Sequence, residues 1–165
     1  MPNLNFEKHV WAEIDLDALR SNFRTVRQRA GVLPLCAVVK ADSYGHGAVQ
    51  CARVLAEEGA VWFAVSCLAE AMQLRRSGIC QPILILGHVQ STYTAELIAN
   101  DLTAACYSTE QAAAMSAAAV AAGGQVQVHL AADTGMGRIG FALRTDFDKA
   151  IDEMVSVCRL PGLKM

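Results

Sequence analysis

The feature that most constrains this fold is the alternation of short apolar runs with amphipathic segments of helical length. Apolar runs bounded by turn residues are typical of buried strands, whereas apolar residues spaced i, i+3, i+4 are typical of helices. The predicted strands are 11–15, 35–41, 60–66, 82–87, 103–108 and 125–133, with another beginning at 162–165. The predicted helices lie near 15–30, 48–58, 68–78, 92–101, 110–124 and 145–158. Strands that alternate with helices predict βαβ units and a parallel sheet.

No linker or change of composition divides the 165 residues, so they are expected to form part of one domain. The pattern contains roughly four full β/α units and part of a fifth. It therefore predicts the first half of a (β/α)8 TIM-type barrel. An open doubly wound sheet is the alternative. It lacks support because no G-x-G-x-x-G dinucleotide fingerprint follows the first predicted strand.

Composition narrows the class of protein. Hydrophobic residues make up 53% of the chain and charged residues 18%, which fits strands covered on both faces. A net charge of −2 gives no reason to expect nucleic acid or an anionic membrane as partner. No apolar run reaches the roughly 18 residues that span a bilayer, and the N-terminus does not read as a signal peptide. A cytoplasmic protein is expected.

Six cysteines and four histidines are scattered along the chain without C-x-x-C pairs or ligand spacing. The cysteines lie mostly among apolar neighbours and are predicted to be reduced thiols that act as small core residues. No metal site is expected.

Lys40 is the most informative single position. It ends an otherwise apolar strand, and in barrels that end of a strand displays active-site groups. A partly desolvated lysine has a lowered pKa, so its neutral amine can form a Schiff base or accept a proton. The alternative is a lysine that extends its ammonium group from the sheet edge into water.

Three segments resemble the alanine racemase family. Residues 38–47 (V-V-K-A-D-S-Y-G-H-G) are similar to its cofactor-binding signature and differ from the usual form only at Ser43. Residues 133–141 (D-T-G-M-G-R-I-G-F) and 11–19 (W-A-E-I-D-L-D-A-L) resemble two further segments of the same family. Together the three matches extend over nearly the whole chain, in the family's order.

The resemblance implies a pyridoxal 5'-phosphate enzyme that racemises L-alanine to D-alanine for peptidoglycan. Lys40 would bind the cofactor as a Schiff base and serve as one of two catalytic bases. Tyr44 would donate a hydrogen bond to the cofactor phosphate, and Arg138 would reach the phenolic oxygen of its ring. Without the motif, Tyr44 reads as a surface turn residue and Arg138 as a loop arginine in an ion pair. Asp42 and His46 are interpreted as structural supports of the turn.

One position departs from the family pattern. Seven residues before Arg138, better-known members carry a carbamylated lysine whose negative charge holds the arginine, but this chain has Ala131. Alanine cannot be carbamylated. A partly buried guanidinium needs a partner, so a bound anion, a carboxylate from another loop, or water is expected in its place.

The resemblance covers under half of a typical family member. It implies a homodimer with shared active sites, in which the opposing base is a tyrosine of the second subunit's C-terminal β domain. That β domain is not part of this sequence, so residues 1–165 alone are expected to be inactive. The alternatives are a serine racemase or another pyridoxal-phosphate barrel protein, and a non-enzymatic half-barrel that oligomerises through its sheet edges.

Overall fold

The computed structural model describes residues 10–165 and consists of a parallel sheet with helices in the connections. Six strands pair in the order β1-β2-β3-β4-β5-β8, and every pair is parallel. These strands are β1 (Cys36–Val38), β2 (Trp62–Val65), β3 (Ile83–Ile85), β4 (Leu102–Cys106), β5 (Val126–Leu130) and β8 (Leu163–Lys164). Two short strands, β6 (Ala132–Asp133) and β7 (Phe141–Ala142), form a separate ribbon.

The helices follow the predicted segments. They are α1 (Leu16–Ala30), α3 (Ala48–Glu57), α4 (Leu68–Arg76), α5 (Thr94–Ala99), α6 (Thr109–Ala121) and α7 (Phe147–Val157). The predicted helix at 92–101 is split into a 3-10 turn (Ser91–Tyr93) and α5. A further helical turn, α2 (Lys40–Gly45), directly follows β1 and has an unusual backbone that concerns the functional site.

The strand order supports the predicted half-barrel. Each strand of the main sheet lies beside the next one in that sheet, with no reversal of order such as a doubly wound fold requires. The number of units differs from the expectation, because α7 completes a fifth strand–helix unit and β8 begins a sixth. The predicted strand at 162–165 is confirmed by β8.

One face of the sheet carries the core. Alternate side chains in register across β2 and β3, such as Phe63 with Ile83 and Val65 with Ile85, are fully buried. The opposite face is only partly covered, because Leu84 is half-buried and His129 is exposed. Coverage of both faces, expected from composition, is therefore complete only at β4, where all five residues are buried.

The first predicted strand is wrong. Residues 11–15 form no strand, since they pair with no other strand within residues 10–165, and Trp11 is 72% exposed. The expected start of the first helix is confirmed, because Asp15 Oδ1 accepts hydrogen bonds from the backbone N–H groups of Asp17 and Ala18.

The cysteines are all free thiols, as predicted, but only Cys51 and Cys106 are core residues. The other four are exposed, because apolar sequence neighbours do not determine which side of an element a residue faces: Cys36, Cys67, Cys80 and Cys158. Burial raises the pKa of the Cys106 thiol. No helix of the described part is long and apolar enough to cross a membrane.

Candidate functional site

Lys40 lies where the sequence predicts, at the carboxyl end of β1. The preceding residue, Val39, is buried, and its N–H donates to the carbonyl oxygen of Ala64 at 2.9 Å, which extends the pairing with β2 by one residue. Lys40 is half-buried and is the first residue beyond this contact. The backbone that carries the Lys40 side chain is therefore fixed by the pairing of the preceding residue with β2.

The four residues after Lys40 form a left-handed helical turn. Ala41, Asp42, Ser43 and Tyr44 all have φ between 50° and 56° and ψ between 36° and 50°. This conformation costs non-glycine residues roughly 1–2 kcal/mol each, so it persists only where surrounding contacts hold it. The chain then leaves the turn through a glycine, Gly45, with φ of 86°.

Asp42 and His46 hold this turn, as the sequence predicts for structural supports. Asp42 Oδ1 accepts from the backbone N–H of Ala48 at 2.7 Å, which ties the turn to the start of α3. His46 Nδ1 lies 2.9 Å from the carbonyl oxygen of Ser43, so in this contact Nδ1 carries the proton and donates. The N–H of Ser43 donates to the carbonyl oxygen of Val39, which ties the turn back to β1.

The turn places Tyr44 next to Lys40. Lys40 Nζ lies 5.9 Å from the centroid of the Tyr44 ring, and the tyrosine is 61% exposed. One amine and one phenol are thus presented together at the carboxyl end of the sheet. The amine can condense with an aldehyde, and the phenol can donate to an anionic oxygen.

Arg138 belongs to a second loop, between β6 and β7, which is organised by Asp133. Asp133 Oδ1 accepts from the N–H groups of Gly135 at 2.9 Å and Gly137 at 3.0 Å. These hydrogen bonds hold the pKa of the Asp133 carboxyl below its ordinary value. A side chain at Gly140 would meet backbone atoms of residues 131–133 at 2.7 to 3.1 Å, so only glycine allows the loop to close this tightly.

Arg138 lines an open cleft of about 460 Å³ at the carboxyl ends of β3, β4 and β5. Ala131 lines the same cleft, in agreement with the expectation that this alanine leaves space beside the arginine. Arg138 is exposed and makes no hydrogen bond or ion pair with any residue of 10–165. Its guanidinium is therefore available to an anion.

The structure brings Lys40 and Tyr44 together, and Arg138 lies further along the same edge of the sheet. All three follow the carboxyl ends of strands of one parallel sheet. However, β1 and β5 are separated by three other strands, and neither Lys40 nor Tyr44 lines the cleft at Arg138. Lys40 and Arg138 thus lie at the carboxyl edge of one parallel sheet, as the sequence predicts, and a cavity shared by the two side chains stays a prediction.

Sequence reasoning missed two features at this end of the sheet. Tyr107, just after β4, has its hydroxyl 2.5 Å from Nδ1 of His88, which follows β3. Glu70 of α4 accepts hydrogen bonds from Ala41 and Ser66, and so joins the loops after β1 and β2. His88 directly follows a predicted strand and Tyr107 lies near the end of another, and this position in the sequence could have indicated them as site residues. Nothing in the sequence indicates the contact between Glu70 and Ala41. No group of three or more potential metal ligands lies together among residues 10–165.

Comparisons with known proteins agree with these features. Residues 14–164 match the profile of the family described as "Alanine racemase, N-terminal domain". The alanine racemase of Clostridium perfringens is 41% identical over 156 residues, which are 94% of this chain and 40% of that protein. The alanine racemase of Desulforamulus reducens is 42% identical over 155 residues, 93% of this chain and 41% of that protein. The chain thus spans about 40% of the length of these curated relatives.

Solved structures show the same likeness. The alanine racemase of Clostridium difficile 630 has a TM-score of 0.87 and 35% identity, over 96% of this chain and 42% of that chain. A histidine racemase of Leuconostoc mesenteroides subsp. sake has a TM-score of 0.80 and 29% identity, over 91% of this chain and 40% of that chain. Because the family profile covers almost all of the sequence, the chain belongs to the alanine racemase N-terminal domain family.

Proposed function

We propose that this protein takes part in the interconversion of L-alanine and D-alanine, with pyridoxal 5'-phosphate held by Lys40. The observation that supports this proposal best is the presentation of Lys40. Its side chain follows a buried strand end, and a left-handed turn braced by Asp42 and His46 comes directly after it. The relatives that align with 93–94% of this chain are named as alanine racemases.

The residues present fit the chemistry of this cofactor. A primary amine at Lys40 suits the aldehyde, and the exposed phenol of Tyr44 suits a phosphate oxygen. The guanidinium of Arg138, without a protein partner, suits the anionic phenolic oxygen of the ring. When bound, pyridoxal phosphate withdraws electrons from the substrate Cα and makes its proton acidic.

Lys40 then has two tasks in the proposal. Its Nζ holds the cofactor while no substrate is present, and afterwards it removes or returns the Cα proton on one face of the substrate. A base on the opposite face is also required, and the family resemblance assigns it to a tyrosine of a second subunit. We therefore infer a cytoplasmic homodimer with shared active sites, which supplies D-alanine for peptidoglycan.

The proposal is tested with Lys40→Ala in the complete natural polypeptide that contains residues 1–165. The wild-type protein with pyridoxal phosphate is expected to absorb in the visible region, and borohydride is expected to attach the cofactor to Lys40. The variant should lose this band, and its rate of alanine racemisation should fall by about 10²–10⁴-fold or more, because a general base is removed. Lys149→Ala, a change of an exposed lysine on α7, serves as the control. A borohydride-reducible lysine adduct that persists in Lys40→Ala refutes the assignment.

The likeness to a histidine racemase supports a second candidate, racemisation of another amino acid on the same scaffold. Serine is a further candidate substrate. Rates of racemisation for L-alanine, L-serine and L-histidine, measured with the same preparation, distinguish the candidates. A kcat/KM for alanine below that for either other amino acid would reassign the substrate while leaving the role of Lys40 intact.

A further inference from the structure

Glu70 connects the loop that carries Lys40 to the neighbouring strand's loop. Its Oε1 accepts from the backbone N–H of Ala41 at 2.9 Å, and its Oε2 accepts from the N–H of Ser66 at 2.7 Å. Ala41 follows Lys40 directly and is the first residue of the left-handed turn. One half-buried carboxylate therefore holds the peptide group that joins Lys40 to the turn.

A similar contact after β4 shows why a carboxylate is needed here. Gln111 accepts from the N–H of Tyr107, four residues earlier, at 3.1 Å, just as Glu70 accepts from Ser66 four residues earlier. The other end of the Gln111 amide is an NH2 group, and its Nε2 donates to the carbonyl oxygen of Ala105. At the corresponding position, Glu70 accepts from a second backbone N–H, that of Ala41. The two donors meet two different oxygens of Glu70, and an amide side chain has only one oxygen to place at these two positions.

The hydrogen bond from Ala41 to Glu70 also holds the first residue of the strained left-handed turn. The left-handed conformation of residues 41–44 has to be maintained by its surroundings, and Asp42, Ser43 and His46 brace its middle and its end. Glu70 is the side chain that anchors its first peptide group to another element. Loss of that anchor frees the backbone next to Lys40 while the other braces remain.

We propose that Glu70 is a positioning residue that sets the direction of the Lys40 side chain through the Ala41 amide. This inference rests on the proposed function for the consequence in catalysis, but its structural part does not. Glu70 touches neither Lys40 Nζ nor any group that would react. Its effect is to hold the backbone from which the amine extends.

The test compares Glu70→Gln with Gln111→Met in the complete natural polypeptide. Glu70→Gln keeps size and shape but has one oxygen for two N–H donors. If it follows the arrangement of Gln111, that oxygen stays on Ser66 and the NH2 group turns toward the N–H of Ala41. Amide hydrogen exchange at Ala41 is expected to become about tenfold faster or more, since its protecting acceptor is lost. Gln111→Met removes the matching contact after β4 and should leave exchange at Ala41 unchanged.

The second measurement uses pyridoxal phosphate as the probe. Glu70→Gln is expected to keep the visible absorbance but to change the intensity of the visible circular dichroism, because the attached chromophore is held in another orientation. The kcat for alanine should fall about tenfold or more with little change in KM, as expected for a misplaced base. Glu70→Asp, which keeps the charge on a shorter side chain, provides the same readouts if Glu70→Gln does not fold.

The outcomes separate the two proposals. Unchanged exchange at Ala41 and unchanged dichroism in Glu70→Gln would overturn the role of Glu70. Equal effects in Gln111→Met would overturn it too, because they would indicate a general loss of stability. If the wild-type protein shows no visible band with pyridoxal phosphate, the proposed function fails, and exchange at Ala41 still decides whether Glu70 holds the turn.

Discussion

At the scale of single residues, the site combines a strained backbone with side chains that have few partners. Four non-glycine residues after Lys40 adopt left-handed conformations, and outside this turn only Asp101 does so among the described residues. Such strain requires compensating contacts, and here they come from Glu70, Asp42 and His46. The turn that follows Lys40 is therefore held by side-chain hydrogen bonds, one of them from a neighbouring helix.

Ala131 leads to a prediction about the partner of Arg138. A small residue beside an exposed guanidinium leaves room in the cleft for an anion such as chloride, or for a carboxylate from another loop. In the complete natural polypeptide, racemisation is expected to be insensitive to bicarbonate and to rise with halide concentration. Activity measured against each salt at constant ionic strength checks this expectation.

The control for this prediction is Ala131→Lys, which restores a side chain that can be carbamylated. The variant is expected to become sensitive to bicarbonate and to lose its response to halide. A wild-type enzyme that ignores halide, and whose crystal structure shows neither anion nor carboxylate beside Arg138, would contradict the prediction in favour of water.

At the scale of elements, α1 is attached to α3 by charged as well as apolar contacts. Arg24 makes two hydrogen bonds to the carboxylate of Glu58, at 2.7 and 2.6 Å, and Arg20 adds a third at 3.2 Å. Arg27 donates to the carbonyl oxygen of the same residue. These arginines lie on one face of α1, and Glu58 ends α3, so the cluster joins the first helix to the unit that carries Lys40.

This cluster predicts a dependence of stability on pH. The hydrogen bonds from Arg24 and Arg20 lower the pKa of Glu58 from its ordinary 4.5 to about 2. The unfolded chain therefore takes up a proton at a higher pH than the folded chain does. The stabilisation is complete above pH 4.5 and is lost as the pH falls toward 2. Free energies of unfolding measured by denaturant titration at several pH values check this.

The matched variants for this measurement are Glu58→Gln and Glu57→Gln. The first is expected to be less stable at neutral pH and to lose less stability on acidification than the wild type. Glu57 is exposed and has one ion pair, with Arg20, so its change should have a small effect. Equal pH dependence in the wild type and Glu58→Gln would show that the cluster is not responsible.

At the scale of the whole molecule, the sheet has apolar surface at its first edge. β1 pairs only with β2 among the described residues, and Val38 is 43% exposed. Between α1 and β1 lies a groove of about 610 Å³, whose lining includes Leu19, Phe23 and Leu35. Open strand edges and apolar grooves favour association with further chain.

Residues 1–165 prepared alone are therefore expected to self-associate, because this surface has no cover within the described part. Sedimentation velocity over a range of protein concentrations measures the association. Val38→Lys, which places a charge on the exposed edge strand, is expected to reduce it. A stable, monodisperse monomer of residues 1–165 would contradict the expectation.

Much of the architecture follows from the sequence alone. The period of the apolar residues predicts six of the seven proposed strands and the places of the helices, because buried strands and amphipathic helices need different spacings. The first predicted strand, 11–15, fails because a strand requires a partner, and pairing is not a local property. The sequence also indicates Lys40, Tyr44 and Arg138, through position and through family resemblance.

Only the tertiary structure decides which distant groups meet. The left-handed turn at 41–44 consists of ordinary residues, and its strain is held by contacts that include Glu70, 29 positions from Ala41. The positions of Lys40 after β1 and of Arg138 after β5, with three strands between them, follow from the order of strands in the sheet. Residue type and spacing determine local conformation and the side that is buried, whereas contacts between loops depend on how the strands are arranged beside one another.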